Sequence, residues 1–132
     1  KIAFNNELKD KKIAVWGLSF KPETDDIRDA PSLLVIEKLL KENASVSVYD
    51  PIAMDNIRDK FGSSILYTKD MYEALVDADA LLLLTEWNQF RAPSWKVIKK
   101  TMKGIVVIDG RNIYDPVELA NEGFILKGIG RA

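Results

Sequence analysis

The chain has 132 residues, of which 47% are apolar and 30% charged, and its formal net charge is −1. This balance predicts one globular domain without the basic surface typical of nucleic-acid binding. No apolar run approaches the ~20 residues that a membrane span needs. The sequence contains no cysteine and no histidine, which excludes disulfides, Cys/His zinc sites, thiol nucleophiles and the commonest general base. We therefore expect no metal site and no catalytic residue of the usual kind.

In the first half of the chain, residues 12–17 predict a buried strand that ends at Gly17. Pro31 in a first turn and an apolar face predict a helix over 31–42. Alternation predicts a second strand over 45–49, a short helix follows at about 53–61, and a third strand is predicted at 65–67.

In the second half, Asp70 and Glu73 are spaced like a capping box and predict a helix to about Val76. The apolar run 80–84 is typical of a strand buried on both faces of a parallel sheet. A helix over 94–100, a strand over 105–108, a helix over 116–121 capped by Asp115, and a strand over 124–126 after a left-handed stop at Gly123 complete the series.

This alternation predicts an α/β fold with three layers: a Rossmann-like, open, mostly parallel sheet with helices on both faces. Residues 12–132 form the predicted domain, and residues 1–11 are predicted to be the end of a connecting helix or linker. The chain starts at Lys1 rather than at a methionine, which suggests a piece of a longer protein. Its first residues do not form a signal peptide, so we expect a cytoplasmic location.

Cations and aromatic side chains follow the predicted strands at the edge where such sheets bind ligands. Cations bind phosphates and apolar rings cover a base, so a small anionic ligand with a flat ring is one interpretation. The other is structural: Lys21 and Arg28 as solvated surface charges, the neighbouring aspartates as partners of Arg28 or helix caps, and Glu86 paired with Arg91. Trp87 and Phe90 are interpreted first as residues packed beneath a loop.

The first turn lacks the G-x-G-x-x-G pattern, since no second glycine follows Gly17 until Gly62. A dinucleotide is therefore not expected to lie across this turn in the usual way. Asp50 occupies the place of a Rossmann ribose-binding acid, but Asp50-Pro51 is equally compatible with a simple strand-to-helix turn.

Five segments in this order and spacing resemble the C-terminal, UDP-binding domain of the UDP-glucose/GDP-mannose dehydrogenase family. They are GLSFKPETDDIRDAPS from Gly17, YDP from Tyr49, LTEW with the following Phe90-Arg91, DGRN from Asp109, and GIGR from Gly128. The resemblance covers nearly the whole chain, and TEW with DGRN looks most like the UDP-glucose 6-dehydrogenase branch.

The resemblance implies a larger enzyme with an N-terminal NAD-binding domain, a dimer-forming connecting helix that Lys1 to Asn6 would end, and this domain. It would oxidise the C6 alcohol of UDP-glucose twice with two NAD+, through a thiohemiacetal and a thioester on a cysteine outside this chain. UDP-N-acetylhexosamines and GDP-mannose stay open as substrates. Two other functions stay open: a flavodoxin-like interaction module, although this sequence lacks the acidic pair of a phospho-receiver after its first strand, and an independent NAD-binding domain, although the glycine pattern is missing.

The same resemblance implies roles for four residues of this sequence. Phe20, Lys21 and Arg111 would bind the UDP-sugar, with Lys21 also stabilising developing oxyanion charge. Arg28 would reach NAD held mainly by the other domain. The chain alone is expected to be catalytically inactive.

Overall fold

The computed structural model describes residues 8–19, 21–28 and 30–128, and its strands form one six-stranded sheet. The strands are β1 (Lys12–Trp16), β2 (Ser45–Tyr49), β3 (Leu66–Tyr67), β4 (Ala80–Leu83), β5 (Val106–Asp109) and β6 (Ile125–Gly128). The helices are α1 (Pro31–Lys41), α2 (Met54–Phe61), α3 (Asn88–Arg91), α4 (Trp95–Thr101) and α5 (Pro116–Asn121), with 3₁₀ turns at Gly62–Ser64 and Glu73–Leu75.

The strand order is β3-β2-β1-β4-β5-β6, and all five pairings are parallel. Ala14 of β1 lies opposite Ser47 of β2 on one side and Leu81 of β4 on the other. This is the doubly wound order of a Rossmann fold, so the predicted architecture is confirmed, with a sheet that is wholly rather than mostly parallel.

Two hydrophobic cores cover the two faces of the sheet, because successive side chains of a strand point to opposite faces. One core contains Val15 with Ile36 of α1 and Ile57 of α2. The other contains Trp16 with Ile98 of α4 and Leu119 of α5. Both faces are thus covered by helices, which explains why β1 and β4 are almost entirely apolar.

The structure differs from the predicted series of elements in two places, which are exceptions to an otherwise close match. The helix predicted to run from Asp70 to about Val76 is only the 3₁₀ turn Glu73–Leu75. Only half of the predicted capping box forms: Asp70 accepts from the backbone N–H groups of Tyr72 and Glu73, but the Glu73 carboxylate accepts from the N–H of Lys69 rather than from that of Asp70. The chain then turns extended at Val76 and left-handed at Asp77, which ends the helix after one turn. The second exception, α3, was not predicted.

The N-terminal boundary was predicted at residues 11 and 12. Lys1 to Asn6 lie outside the described residues, and so do Ile129 to Ala132 at the other end. Leu8 is buried in the core on the α1 face, and the N–H of Asp10 donates to the carbonyl of Asn43. The last residues of the predicted linker therefore pack on the domain. No helix within the described ranges is long and apolar enough to cross a membrane.

Candidate functional site

The strand order reverses between β1 and β4, and the loops that follow these two strands lie side by side at the carboxyl edge of the sheet. In open parallel sheets the crevice at this point is where ligands bind. The segments that the sequence singled out, from Gly17 to Arg28 and from Thr85 to Arg91, are these two loops.

Gly17 and Thr85 join the two loops closely. Gly17 has φ +93°, and a Cβ added there would lie 2.5 Å from the Cβ of Thr85 and 2.6 Å from its backbone nitrogen. The buried hydroxyl of Thr85 donates to the carbonyl of Ser19 at 2.5 Å. The base of the site is therefore fixed by backbone approach, which only glycine permits at this position.

A cleft of about 290 Å³ lies between the two segments that this junction connects. Pro22 and Glu23 line it from the loop after β1, Glu86 and Trp87 from the loop after β4, and Asn88 and Gln89 from the start of α3. Its walls combine an indole ring, two amides and carboxylates, which suits a ligand with a ring and several polar groups.

Arg111 lies beside this cleft because Asp109 fixes the turn after β5. The carboxylate of Asp109 is fully buried and accepts the backbone N–H groups of Arg111, Ile113 and Tyr114 at 2.7 to 2.9 Å. The guanidinium of Arg111 then donates from Nε and Nη2 to Oε2 of Glu86, at 3.1 and 2.9 Å. The pairing of Glu86 with Arg91, one interpretation from the sequence, is wrong: β5 lies next to β4, so Arg111 reaches Glu86 instead.

The Glu86 carboxylate is held ionised by its surroundings. Burial raises the pKa of Glu86, but a hydrogen bond from its own backbone N–H, the hydrogen bonds of Arg111, and the charges of Arg111 and Arg91 outweigh that effect and lower it. Among the described residues, two buried polar atoms here have no hydrogen-bond partner: Oε1 of Glu86 and Nε1 of Trp87. Unpartnered buried polar atoms are uncommon and call for an explanation.

The remaining residues implied by the resemblance lie in the first loop. Phe20 is outside the described residues. Lys21 is exposed, next to Pro22 in the wall of the cleft. Arg28 is exposed and donates from Nε and Nη2 to both carboxylate oxygens of Asp26, and this hydrogen-bonded pairing lowers the pKa of Asp26 to about 2. Of these residues, none that the structure describes lines the cleft itself: Arg111 contacts Glu86 in its wall, Lys21 precedes Pro22 in the other wall, and Arg28 engages a neighbouring aspartate.

Phe90 and Trp87 differ in their surroundings. Phe90 is fully buried and stacked on Trp16, with ring centroids 4.9 Å apart, so it is a core residue, as its first interpretation had it. Trp87 is partly buried, packs against the same core, and presents one side to the cleft.

Asp50 is not available to a ribose. Its carboxylate is fully buried and accepts the backbone N–H groups of Leu18, Ile52 and Ala53 at 2.7 to 2.9 Å. Together with the single glycine after β1, this means that the described residues do not fit NAD in the manner of a Rossmann domain. In the same ranges, no cluster of three or more His, Cys, Asp or Glu could hold a metal ion.

The strand order and the place of the cleft define a doubly wound α/β domain with a candidate ligand-binding crevice where the strand order reverses. Residues 14–116 match the family model described as "UDP-glucose/GDP-mannose dehydrogenase family, UDP binding domain". The chain belongs to this family, as its UDP-binding domain.

Several curated proteins similar to this chain are UDP-glucose 6-dehydrogenases. One from Rhizobium meliloti is 45% identical over 98% of the chain, and one from Pseudomonas aeruginosa is 40% identical over 97%; in each case the match covers 29% of the relative's length. A solved UDP-glucose dehydrogenase from Pyrobaculum islandicum matches with a TM-score of 0.79 and 32% identity, over 96% of the chain and 27% of that protein. An NDP-N-acetyl-D-galactosaminuronic acid dehydrogenase from Methanosarcina mazei matches with a TM-score of 0.83 and 30% identity, over 98% and 26%.

The sequence motifs contain Arg111, Asp109 and Glu86, but they did not predict the contacts by which Asp109 and Glu86 hold Arg111. The buried roles of Asp109 and Thr85 carry a local signal, namely a polar residue directly after an apolar strand. The pairing of Arg111 with Glu86 has no local signal, because 25 positions separate the two residues.

Proposed function

We propose that this domain binds the UDP-sugar in an NAD-dependent UDP-glucose 6-dehydrogenase that oxidises UDP-glucose to UDP-glucuronate. The observation that carries the proposal is the position of Arg111 beside the cleft at the strand-order reversal, in a domain of the UDP-binding family. The chain spans about three tenths of the length of the relatives it matches, and the rest of the enzyme would complete the active site.

The residues would divide the binding as follows. The planar guanidinium of Arg111 suits the pyrophosphate of the nucleotide, to which it can donate two parallel hydrogen bonds. Phe20 and Lys21 would contact the sugar, with the ammonium of Lys21 stabilising negative charge that develops on an oxygen in the transition state. Because the chain has no cysteine, the covalent part of the reaction would take place on a residue of another domain.

NAD would accept the hydrides when bound, and we propose that an N-terminal domain of the same enzyme holds it. Two observations support this division: the carboxylate of Asp50 is already engaged by three backbone N–H groups, and the turn after β1 has no glycine-rich phosphate loop. The contact of Arg28 with NAD, the homodimer of the full-length enzyme and its cytoplasmic location belong to the same proposal.

The proposal is tested by calorimetric titration of the chain with UDP, UDP-glucose, GDP-mannose and NAD. We expect weak binding of the uridine ligands, no binding of NAD and no turnover. Arg111→Ala should weaken UDP binding at least about tenfold, since a charge-assisted bidentate contact is lost. Arg58→Ala is the matched control and should bind UDP as the unmodified chain does. Arg58 forms an exposed ion pair with Asp55 on α2, the helix between β2 and β3.

Strong binding of NAD, or reduction of NAD by the chain alone, would contradict the proposal. If no nucleotide binds, the same titration on the protein that includes the neighbouring domain decides whether the site needs that domain.

UDP-N-acetylhexosamines are the second candidate substrates, because the Methanosarcina mazei enzyme, named for an N-acetylated sugar acid, shares the fold at a TM-score of 0.83. Adding UDP-N-acetylglucosamine to the titration, and to turnover assays of the complete enzyme, compares the two sugar classes directly. The class that the complete enzyme oxidises with the higher kcat/KM is the substrate.

A further inference from the structure

The ion pair between Glu86 and Arg111 is the contact that fixes the binding arginine at the cleft. Arg111 has five side-chain N–H groups, and two of them, on Nε and Nη2, donate to the single oxygen Oε2 of Glu86. No other hydrogen bond of this side chain is present among the described residues, so three N–H groups stay available for a ligand. The pair is mostly shielded from solvent, with side-chain exposures of 31% for Arg111 and 19% for Glu86.

We propose that Glu86 is a positioning residue for UDP-sugar binding: it orients the Arg111 guanidinium so that its remaining donors meet the ligand's pyrophosphate. The inference rests on the proposed function and adds to it a residue that does not itself contact the phosphates. A long arginine side chain has many rotamers, and an acceptor that holds it at one edge removes that freedom before the ligand arrives.

The position of Glu86 supports this role. Glu86 follows β4 by three residues and lines the cleft, while Arg111 follows β5 by two residues with its own backbone N–H fixed on Asp109. Arg111 is therefore held at two points: Asp109 fixes its main chain and Glu86 fixes its guanidinium. Oε1 of Glu86 has no hydrogen-bond partner among the described residues, and Arg111 is the side chain that donates to Oε2.

A competing arrangement makes the opposite prediction. If the carboxylate of Glu86 competed with phosphate for Arg111, its removal would free the cation and strengthen binding. Glutamine separates the two cases, because it keeps an oxygen that can accept from Arg111 and removes the negative charge, whereas alanine removes both.

The test measures the Kd for UDP of the unmodified chain, Glu86→Ala, Glu86→Gln, Arg111→Ala and the double variant Glu86→Ala/Arg111→Ala. If the unmodified chain needs the neighbouring domain to bind UDP, the whole series is made in the complete enzyme. We expect Glu86→Ala to weaken binding about tenfold and Glu86→Gln to restore most of it, since charge-assisted hydrogen bonds direct the guanidinium but a neutral acceptor still orients it. In the Arg111→Ala background, removal of Glu86 should have no further effect.

Three results would overturn the inference: tighter binding by either Glu86 variant, unchanged binding by Glu86→Ala, or an equal loss in the Arg111→Ala background. The last result would mean that Glu86 acts without Arg111. If Glu86→Ala does not fold in a thermal melt, Glu86→Met takes its place, alone and with Arg111→Ala, because methionine keeps the bulk of the side chain and removes both the charge and the carboxylate acceptor. Failure of the proposed function looks different, because then neither the chain nor the complete enzyme binds UDP.

Discussion

At the scale of single residues, Asp50 shows how a carboxylate in a ligand-binding position can serve the fold alone. Its two oxygens accept from Leu18, in the loop after β1, and from Ile52 and Ala53, in the turn after β2. Two adjacent strand ends are thus tied together by one buried side chain, beneath the loop that carries Lys21.

Replacing Asp50 by alanine should destabilise the domain by about 3 kcal/mol, because three backbone N–H groups lose their acceptor. Urea denaturation measures the loss. Asp59→Ala is the matched control: Asp59 is exposed on α2, and its replacement should change the stability by less than about 0.5 kcal/mol. Equal stabilities for the two variants would show that Asp50 does not hold the two turns together.

The sequence alone could not decide the role of Asp50, because a ribose-binding acid and a turn-forming aspartate occupy the same position after β2. The deciding fact is where the neighbouring N–H groups point, and that depends on the loop from Gly17 folding back over the strand. For Arg111 the sequence predicted the residue and its ligand class but not the contact with Glu86. Glu86 and Arg111 meet because β4 and β5 are neighbours in the sheet. The sequence predicted the type of fold but not which side chains meet across neighbouring strands.

At the scale of elements, the junction of the loops after β1 and β4 is the tightest contact of the site. Gly17→Ala should cost about 3 kcal/mol or more, since the new Cβ would meet Thr85 at 2.5 Å and the backbone has φ +93°. Gly62→Ala isolates the backbone contribution, because Gly62 also has a positive φ but nothing within 4 Å of an added Cβ. It should cost about 1 to 2 kcal/mol.

Thermal and urea denaturation of the two glycine variants measure this difference. Gly17→Ala should in addition weaken UDP binding, because the loop of Lys21 and the loop of Glu86 would be pushed apart. A Gly17→Ala variant as stable as Gly62→Ala would mean that the loops yield without cost, and the rigid base of the cleft would be refuted.

The elements that the sequence predicted well are those with a strong local signal: apolar strands, prolines in first turns and glycine stops. Asp115 caps α5 by accepting from the N–H of Val117, and Gly123 has φ +89°, both as predicted. The segment after Asp70 carries the same capping signal and still forms only one 3₁₀ turn. There the N–H of Asp77 donates to the carbonyl of Thr101, so a tertiary contact ends the helix that the local pattern favours.

At the scale of the whole molecule, the alternation of strands and helices was enough to predict the layer architecture, because short right-handed connections leave few other solutions. The result is a sheet with a separate hydrophobic core on each face, one around Ile36 and Ile57 and one around Trp16 and Ile98. The two cores share the sheet, whose strands contribute alternate side chains to each of them.

This sharing predicts that the two cores unfold together. Ile36→Val and Ile98→Val each remove one methylene from a fully buried side chain, one in each core, and each should cost about 1 kcal/mol. The double variant should lose the sum of the two stability losses within about 0.5 kcal/mol, in a single transition, because the two sites lie on opposite faces of one cooperative unit.

Trp16 and Trp95 are buried in the core of Ile98, so tryptophan fluorescence monitors that core and far-UV circular dichroism monitors the whole domain. The decisive variant is Ile36→Val, because Ile36 lies in the core that does not contain these tryptophans. It should shift the midpoint of the fluorescence transition as far as that of the dichroism transition. A fluorescence midpoint that does not move would show that the two faces of the sheet unfold independently.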